Sequence, residues 1–486
     1  MAPSELCTPG RDVSHDAVVV IPGIMGTALR DIETGRDLWG LRSLGWYRKA
    51  WTTGASLRAL QLTEAEHEGI YGRVQPTGLL RFPAWAPLDG IEPYTNLVKG
   101  IRSVVTDDAA ILAFGYDWRL PVEHNAALLA RAARRHLDTW RATPEHESAR
   151  RTQPDGRPAR LVLVAHSMGG LLARALPLVE DRDDIPAVTS DIRATITLGT
   201  PFDGAAKAAL IMSAGTGTPL PLPRGRLRRL AATMPGLHDL LPVYRCVDTG
   251  AEVRCLTASE VGALGGNAQL ADTSFRFRRR LVTTALVGHR ALVGVDQPTL
   301  QTLRLRDGAA EGFSHTFRVN SKGSVVCDQR ERPVPVAGSG DGTVPRNSAS
   351  PDGASLYYEA QQHGSLAKVD EAITFVRSVI TEQEPGGRLG TGHLGVGAPD
   401  LVEPDAAWSA VVTGIDGPND VTCRVHDAET GGQVDAPRLR WEDGEWRFTT
   451  SVPGTRLYQV VVSGGGGSPV TRYVLATNPA AREDDD

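Results

Sequence analysis

A serine, an aspartate and a histidine follow one another along the chain as the nucleophile, acid and base of one site would on an α/β sheet. Ser167 lies in LVLVAHSMGGLLARAL (161–176), where an apolar run precedes it and leucines at helical spacing follow. A serine at a strand-to-helix turn is the setting of a nucleophile elbow, usually written G-x-S-x-G. Here Ala165 replaces the first glycine and Gly169 supplies the second. The pattern alone fits an ordinary turn serine equally well, so the other groups of an acyl-transfer site must be found elsewhere.

The acid and the base are expected after the serine, in that order. Asp341 lies between two glycines in VAGSGDGTVP, and His363 lies in QQHGSL, between a strand and the last helix of the α/β region. His166, beside Ser167, is expected to point away from the nucleophile and to pack or form hydrogen bonds. The remaining histidines after the serine precede the acid or fall in later segments: His238, His289, His315, His393 and His426.

An acyl-transfer site also needs N–H donors for the oxyanion of a tetrahedral intermediate. One donor is normally the backbone N–H that follows the nucleophile, here that of Met168, where a helix begins. The second comes from a loop after an early strand, and IPGIMG (21–26) offers the N–H of Ile24, with Met25 next. Taken alone, this loop is also compatible with a simple strand-ending turn.

The elements that must position these groups alternate between strands and helices. Such alternation predicts an α/β fold with a mostly parallel sheet and helices on both faces. Residues 27–110, rich in tryptophan, and 205–290 interrupt the alternation and are predicted to be cap insertions in a domain spanning 1–384. The predicted strands lie within 16–26, 109–120, 161–164, 192–204, 291–305 and the start of 355–380, and the clearest helix spans 122–142.

The character of the chain changes after about residue 384. A glycine/proline linker (385–398) precedes short alternating segments (399–480), which predict a small all-β, immunoglobulin-like sandwich, and an acidic tail (481–486) follows. The pattern WEDGEW predicts a hairpin through Asp443-Gly444. We expect this module to fold separately, to contribute no catalytic group and to be dispensable for cleavage of a soluble ester. The module is suited to binding a protein partner.

Composition narrows the class of protein. The formal net charge of −5 over 486 residues gives no reason to expect a nucleic-acid partner. No apolar run resembles a signal peptide or reaches the length of a membrane span, so a cytoplasmic location is expected. The five cysteines are scattered without metal-ligand spacing, and neither a metal nor a cofactor is expected. Cys246 and Cys255 flank a turn-like segment and could face each other across a hairpin, as free thiols or as a disulfide.

Seven motifs occur in one order across residues 18–366: VVIPGIMGTAL, DLWG, FGYDWRL, AHSMGGLLAR, TLGTPFDGAAKA, GDGTVP and HGSL. Together they resemble the lecithin:cholesterol acyltransferase-like family, and within it the bacterial lipase/acyltransferases. The resemblance implies an α/β-hydrolase fold, a Ser167–Asp341–His363 triad and an oxyanion hole at Ile24 and Met168. It also places Trp39 near the acyl site, whereas Asp117 and Arg119 of YDWR are expected to be a structural pair. The chain departs from the secreted animal members in having no cysteine within 27–110, where they carry a lid disulfide.

The resemblance implies a serine-dependent lipid ester hydrolase or O-acyltransferase working through an acyl-enzyme, on phospholipid or another long-chain acyl ester. Two alternatives stay open: a soluble carboxylesterase for small acyl esters, and a non-catalytic binding protein on a hydrolase fold. The cap stretches PLPRGRLRRL and FRFRRR could contact head groups at a membrane surface, or could be solvated helix faces.

Overall fold

The computed structural model describes ten stretches of the chain: residues 13–40, 55–80, 94–153, 156–213, 224–320, 324–385, 393–399, 401–428, 430–464 and 467–476. The first cap insertion is therefore described in part, and the acidic tail (481–486) lies outside the described residues. None of the helices in these stretches is both long and apolar enough to cross a bilayer.

Twenty-four strands and twelve α-helices make up the described chain. The strands are β1 (Ala17–Ile21), β2 (Thr27–Asp31), β3 (Asp37–Trp39), β4 (Val74–Leu79), β5 (Ile111–Ala113), β6 (Leu161–His166), β7 (Ile192–Leu198), β8 (Arg245–Asp248), β9 (Val253–Cys255), β10 (His289–Gly294), β11 (Thr302–Arg306), β12 (Ala309–Phe313), β13 (Thr316–Phe317), β14 (Pro335–Val336), β15 (Ser355–Glu359), β16 (Gly395–Gly397), β17 (Leu401–Val402), β18 (Trp408–Thr413), β19 (Val421–Asp427), β20 (Gln433–Asp435), β21 (Arg440–Glu442), β22 (Glu445–Thr450), β23 (Leu457–Gly464) and β24 (Gly467–Ala476). The helices are α1 (Ala55–Leu60), α2 (Glu64–His67), α3 (Tyr94–Arg102), α4 (Val122–Arg141), α5 (Pro144–Thr152), α6 (Gly169–Val179), α7 (Ala206–Met212), α8 (Arg224–Ala231), α9 (Pro235–His238), α10 (Ala258–Ala263), α11 (Ala268–Leu281) and α12 (Asp370–Ile380).

A six-stranded parallel sheet in the order β15-β10-β7-β6-β1-β5 forms the centre of the molecule. β1 and β6 are buried along their whole length, as their continuous apolar sequences require in a sheet covered on both faces. Apolar side chains of α4 and α6 cover one face, and those of α3 and α12 cover the other. The chain has the expected α/β-hydrolase fold, in which the carboxyl ends of the parallel strands share one edge.

The cap elements lie over that edge. β2, β3 and β4 form a small sheet, and α7 to α11 with the β8–β9 hairpin follow β7. The second cap segment is followed by β10 (His289–Gly294), which lies in the central sheet. A later part of the chain adds to the cap, because β11 pairs in parallel with β8 and extends the hairpin into a four-stranded sheet with β12. The hairpin brings Cys246 and Cys255 onto neighbouring strands, and both thiols are free, the first buried and the second exposed.

Two sheets form the C-terminal β-sandwich. Their orders are β16-β18-β22-β21 and β17-β24-β23-β19-β20, and their facing side chains form a separate apolar core. The predicted hairpin through Asp443 and Gly444 is confirmed, and their positive φ values, 53° and 82°, are those of a type I′ turn. Much of the predicted linker, 386–392, lies outside the described residues, but its end is ordered as β16 and pairs with β18.

One predicted strand is much shorter than expected. Only Ile111–Ala113 of the 109–120 segment pairs with β1. The following FGYDWRL leaves the sheet because its aromatic and charged side chains bind neighbouring loops, as described below. Apolarity alone did not distinguish this buried loop from a strand.

Candidate active site

Ser167 occupies a strained turn between β6 and α6. Its φ is 52°, in the left-handed region, and its N–H donates to the Leu198 carbonyl over 2.9 Å. A Cβ on Gly169 would lie 2.6 Å from the carbonyl oxygens of Ile21 and Pro22, so a larger residue cannot occupy that position without backbone movement. The strained serine and the close approach of the helix to β1 are the features of a nucleophile elbow.

Ser167, His363 and Asp341 form one hydrogen-bonded chain. The imidazole Nε2 lies 2.8 Å from Ser167 Oγ, and Nδ1 lies 2.6 Å from Asp341 Oδ2. The other carboxylate oxygen accepts the N–H groups of Thr343 and Val344, at 2.9 and 2.6 Å. With Nδ1–H donating to the carboxylate, Nε2 is left to accept the serine proton. This is the arrangement that general-base activation of a serine requires.

The loops carrying the acid and the base are joined to each other by backbone contacts. The His363 N–H donates to the Asp341 carbonyl over 2.8 Å, and His363 begins a single 3₁₀ turn that ends at Ser365. Gly199, at the end of β7, has a φ of 58°, and a Cβ there would lie about 3 Å from both Asp341 Oδ2 and His363 Nδ1. Glycine at this position therefore leaves room for the acid–base pair.

The other histidines hold positions away from this chain of hydrogen bonds. His289 lies within β10 and bonds Thr197 Oγ1 at 2.8 Å, and burial lowers its pKa to about 4. His238 bonds the Met234 carbonyl in the cap, and His393 is exposed beside Asp296. Their placement agrees with the choice of His363 from chain order.

His166 belongs to a second network that the sequence indicated only in part. Its Nε2 is 3.1 Å from the carbonyl oxygen of His363, and its Nδ1 is 2.9 Å from the hydroxyl of Tyr94. Tyr94 Oη in turn accepts the Gly23 N–H over 2.8 Å. Burial, and then the nearby His363, lower the pKa of His166 to about 3, so the ring is neutral with one donor and one acceptor nitrogen.

This network spans the site from the loop after β1, through Tyr94 and His166, to the backbone of His363. Tyr94 could not be found from the sequence, because it opens α3, lies far in sequence from every motif and is marked by no local pattern. The expectation that His166 forms hydrogen bonds is confirmed.

The loop after β1 lies directly beside the nucleophile. A Cβ on Gly23 would be 2.8 Å from Ser167 Cβ, and Met25 has a φ of 64°. Among the described residues, the N–H groups of Ile24 and Met168 have no protein acceptor. Both lie on segments next to Ser167, where the sequence predicted the two oxyanion donors.

Aromatic side chains hold this loop by its carbonyl groups. Donors from Tyr116, Trp118 and Trp39 reach the carbonyl oxygens of Pro22 (2.8 Å), Thr27 (3.1 Å) and Met25 (2.7 Å), respectively. Trp39 and Trp118 also pack edge to face, with ring centroids 5.7 Å apart. The loop conformation therefore depends on aromatic residues from two other segments.

Arg119 anchors the YDWR segment in a buried cluster of charges. Its guanidinium bonds Asp117 through two nitrogens, at 2.9 and 2.7 Å, so the predicted pair is confirmed. It also bonds Glu66 Oε1 at 2.9 Å and the Leu60 carbonyl at 3.1 Å. Glu66 lies 53 residues away in sequence, in the cap, and nothing local identified it.

A mainly apolar cavity of about 290 Å³ opens onto Ser167 and His363. The predicted substrate residues Trp39 and Met25 line it, together with Ile24 from the same loop. The cap supplies most of the remaining wall through Leu57, Leu60, Leu227, Leu230, Ala231, Met234, Leu237 and Leu240. The nucleophile therefore faces a compartment suited to an apolar chain rather than to a polar ligand.

Residues 86–260, which include Ser167, match the family model of lecithin:cholesterol acyltransferase. The resemblance to that family is therefore confirmed. Asp341 and His363 lie beyond the matched segment, so the family model does not test them. Curated proteins gave no match.

Two solved structures resemble the chain over most of its length. A chain of the Tle4-Tli4 complex is 16% identical, covers 75% of this chain and 97% of its own, and has a TM-score of 0.47. The Bacillus licheniformis lipase BlEst2 in mature form is 13% identical, covers 78% and 96%, and has a TM-score of 0.32. The fold is assigned from the chain's own six-stranded parallel sheet.

Proposed function

We propose that this protein is a serine-dependent lipid ester hydrolase or O-acyltransferase that works through an acyl-enzyme. The observation that carries the proposal is the hydrogen-bonded chain Ser167–His363–Asp341 opening into an apolar cavity. The match to a lipid acyltransferase family supports the substrate class. Phospholipid, or another long-chain acyl ester, is the proposed acyl donor.

In the proposed reaction, His363 Nε2 takes the proton of Ser167 as Oγ attacks the ester carbonyl carbon. Asp341 orients the imidazole and stabilises its positive charge. The tetrahedral intermediate collapses, the bond to the alcohol breaks, and the leaving oxygen takes the proton from His363. Water or an acceptor alcohol then gives its proton to His363 as it attacks the acyl-enzyme, and the acyl product leaves as Ser167 regains its proton.

The N–H groups of Ile24 and Met168 are the proposed donors to the oxyanion. Both lie beside Ser167 and lack a protein acceptor in the described chain, and Met168 immediately precedes α6, whose N-terminal dipole favours negative charge. Trp39 and Met25 contribute to the wall that would hold the acyl chain.

Contact with a membrane surface is part of the proposal. Helix α8 lines the cavity with Leu227 and Leu230, and its arginines Arg226 and Arg229 border an outer groove together with Arg58 of α1. Cationic side chains around the cap that covers an acyl cavity are suited to anionic head groups. A cytoplasmic location with peripheral membrane contact, and a protein partner for the β-sandwich, stay predictions.

Product analysis tests the proposal and distinguishes its alternatives. Wild type, Ser167→Ala and the control Ser378→Ala, whose half-buried serine on α12 bonds the Thr374 carbonyl, are each incubated with mixed phospholipid vesicles, with and without an alcohol acceptor. We expect wild type and the control to release fatty acid, or to form a new ester when the alcohol is present, and Ser167→Ala to form neither. Cleavage of short soluble esters alone would favour a small-ester carboxylesterase. No turnover of any ester by wild type would favour a binding protein.

A further inference from the structure

The C-terminal β-sandwich contacts the segment that carries the candidate base. Gln361 and Gln362 immediately precede His363, and both are buried. Gln361 Nε2 donates to the carbonyl of Pro469 on β24 over 3.0 Å, and Gln361 Oε1 accepts the Gln362 N–H over 2.9 Å. The Gln361 side chain thus binds the segment before His363 to the sandwich.

Gln362 makes a second connection between the segment before His363 and the β-sandwich, through more hydrogen bonds. Its Oε1 accepts from Nη1 of Arg472, also on β24, over 2.9 Å, and its Nε2 donates to Gln297 Oε1 over 2.8 Å. The same Nε2 is 3.5 Å from the carbonyl oxygen of Val396 on β16. Both polar atoms of this amide are therefore occupied, one by the sandwich and one mainly by the hydrolase domain.

Gln297 extends the network to the acid. Its Nε2 donates to the Leu394 carbonyl over 2.7 Å, and its Oε1 accepts the Val396 N–H over 3.2 Å. Its own backbone N–H donates to the carbonyl of Gly340, the residue before Asp341, over 3.0 Å. The loops that carry the acid and the base are thus both connected to the sandwich through buried glutamines.

The network has only one consistent orientation of its amides. Arg472 and the Val396 N–H can only donate, and the carbonyls of Leu394 and Val396 can only accept. A flipped Gln362 would therefore bring its NH₂ group against the guanidinium and leave Gln297 Oε1 without this donor. Because the two glutamine side chains are buried, an incorrect arrangement leaves polar atoms unsatisfied, which makes the observed geometry strongly preferred.

The Gln362 amide also packs closely against the loop that carries Asp341. A Cβ on Gly342, the residue after Asp341, would lie 2.5 Å from Gln362 Oε1 and 3.2 Å from Arg472 Nη1. The glycine backbone and the arginine head therefore enclose the Gln362 amide from two sides, immediately behind the acid–base pair.

We propose that Arg472 is a positioning residue for His363, and that the β-sandwich is a required support of the active site. The inference rests on the proposed function, since it concerns the same triad. Arg472 acts through Gln362: loss of the guanidinium leaves Gln362 Oε1 without its donor, so the amide is held only through Nε2. The backbone before His363 then loses part of the restraint that holds Nε2 of the imidazole at 2.8 Å from Ser167 Oγ. Small displacements of a catalytic group slow the chemical step while leaving the binding of substrate little changed.

The test compares Arg472→Met, Arg472→Lys and the control Arg440→Met, whose arginine is exposed on β21, in the full-length chain. With a short soluble nitrophenyl ester, we expect Arg472→Met to lower kcat by about 10-fold or more, with KM changed less than about 2-fold. Arg472→Lys retains a cationic donor and should recover most of kcat, and Arg440→Met should behave as wild type. Thermal unfolding and circular dichroism are measured on each variant, so that kcat is compared among folded proteins.

A double variant identifies the route of the effect. If Arg472 acts through Gln362, then Gln362→Met and Arg472→Met together should lower kcat no more than the more damaging single change, because coupled residues are not additive. Unchanged kcat in a folded Arg472→Met variant, or losses that multiply in the double variant, would overturn the inference while leaving the proposed function intact. A wild-type protein that cleaves no ester and does not react with a fluorophosphonate would contradict the proposed function, and the inference with it.

Discussion

Replacing Tyr94 with phenylalanine should show whether the loop beside the nucleophile needs its hydrogen-bonded support. The substitution removes one oxygen, which accepts the Gly23 N–H at 2.8 Å and contacts His166 Nδ1 at 2.9 Å. Both partners would stay buried without this group, and a buried polar group that loses its partner costs about 1–3 kcal/mol. We therefore expect the free energy of unfolding to fall by about 2–4 kcal/mol, since a rearranged backbone will recover part of the loss.

The Tyr94→Phe substitution should also slow catalysis, because Gly23 holds the loop that contains a proposed oxyanion donor. The next residue along the chain is Ile24, a proposed oxyanion donor, and complete loss of one such donor costs about 10²–10³ in kcat. A loosened loop should lose part of that stabilisation, so kcat on a short nitrophenyl ester should fall by about 10–100-fold. The control is Tyr357→Phe, since Tyr357 packs against Phe375 beneath the sheet and should leave kcat unchanged. A Tyr94→Phe variant that is less stable but retains wild-type kcat would refute the idea that this network supports the oxyanion loop.

Three further expectations concern charged groups. Asp341→Asn should leave the fold intact and lower kcat by about 10³–10⁴, through an imidazole held in the wrong tautomer, with His363→Ala at least as damaging in the same assay. Burial, and then Glu371, raise the pKa of Glu359 to about 7. Between about pH 4.5 and 7 the folded state therefore binds more protons than the unfolded state, and the free energy of unfolding falls as the pH rises through that window. Glu359→Gln should remove this dependence and raise the unfolding temperature at pH 8; an unchanged pH dependence would contradict the assignment. Arg119→Met should destabilise the fold by about 3–5 kcal/mol in chemical denaturation, because buried Asp117 loses its cation and buried Glu66 is left with Arg73 alone. A loss below about 1 kcal/mol would contradict that account.

The arrangement of the candidate triad could be predicted from chain order, because Ser167 and His363 follow parallel strands of the central sheet and Asp341 lies on a loop between them in sequence. Ser167 follows a strand whose apolar run is unmistakable, and glycine-rich or polar loops carry Asp341 and His363 after it in order. Chain order then distinguished His363 from the other histidines. The rule needs no knowledge of tertiary contacts, since adjacent strand ends meet at one edge of the sheet.

The groups that support the triad could not be found in this way. Tyr94, Glu66 and Gln297 act on partners 71, 53 and 65 residues away, respectively, and no spacing rule connects such positions. Arg472 is 110 residues from Gln362, in a module that the sequence indicated to be separate. The contacts with Gln361 and Gln362 do not fit that expectation of independence. A polar residue on a β-strand can face solvent or a neighbouring domain, and its sequence does not distinguish the two.

The local sequence pattern also gave wrong predictions for segments that leave the central sheet. FGYDWRL has the apolar content of a strand, yet Tyr116 binds a carbonyl of the loop after β1 and Trp118 binds the first carbonyl of β2, instead of pairing along β1. Similarly, the parallel contact between Leu303 and Val247 joins the second cap segment to a later hairpin. Pairing between distant strands is decided by packing, which periodicity does not report.

Covalent labelling is the most direct test of the central claim that Ser167 is a nucleophile activated by His363. Wild type, Ser167→Ala and His363→Ala are treated with a long-chain fluorophosphonate, and the modified peptide is identified by mass spectrometry. The account predicts one stoichiometric adduct on Ser167 in wild type, none in Ser167→Ala, and labelling slowed by about 10³-fold or more in folded His363→Ala. An adduct on another residue, or equally fast labelling of Ser167 without His363, would contradict it.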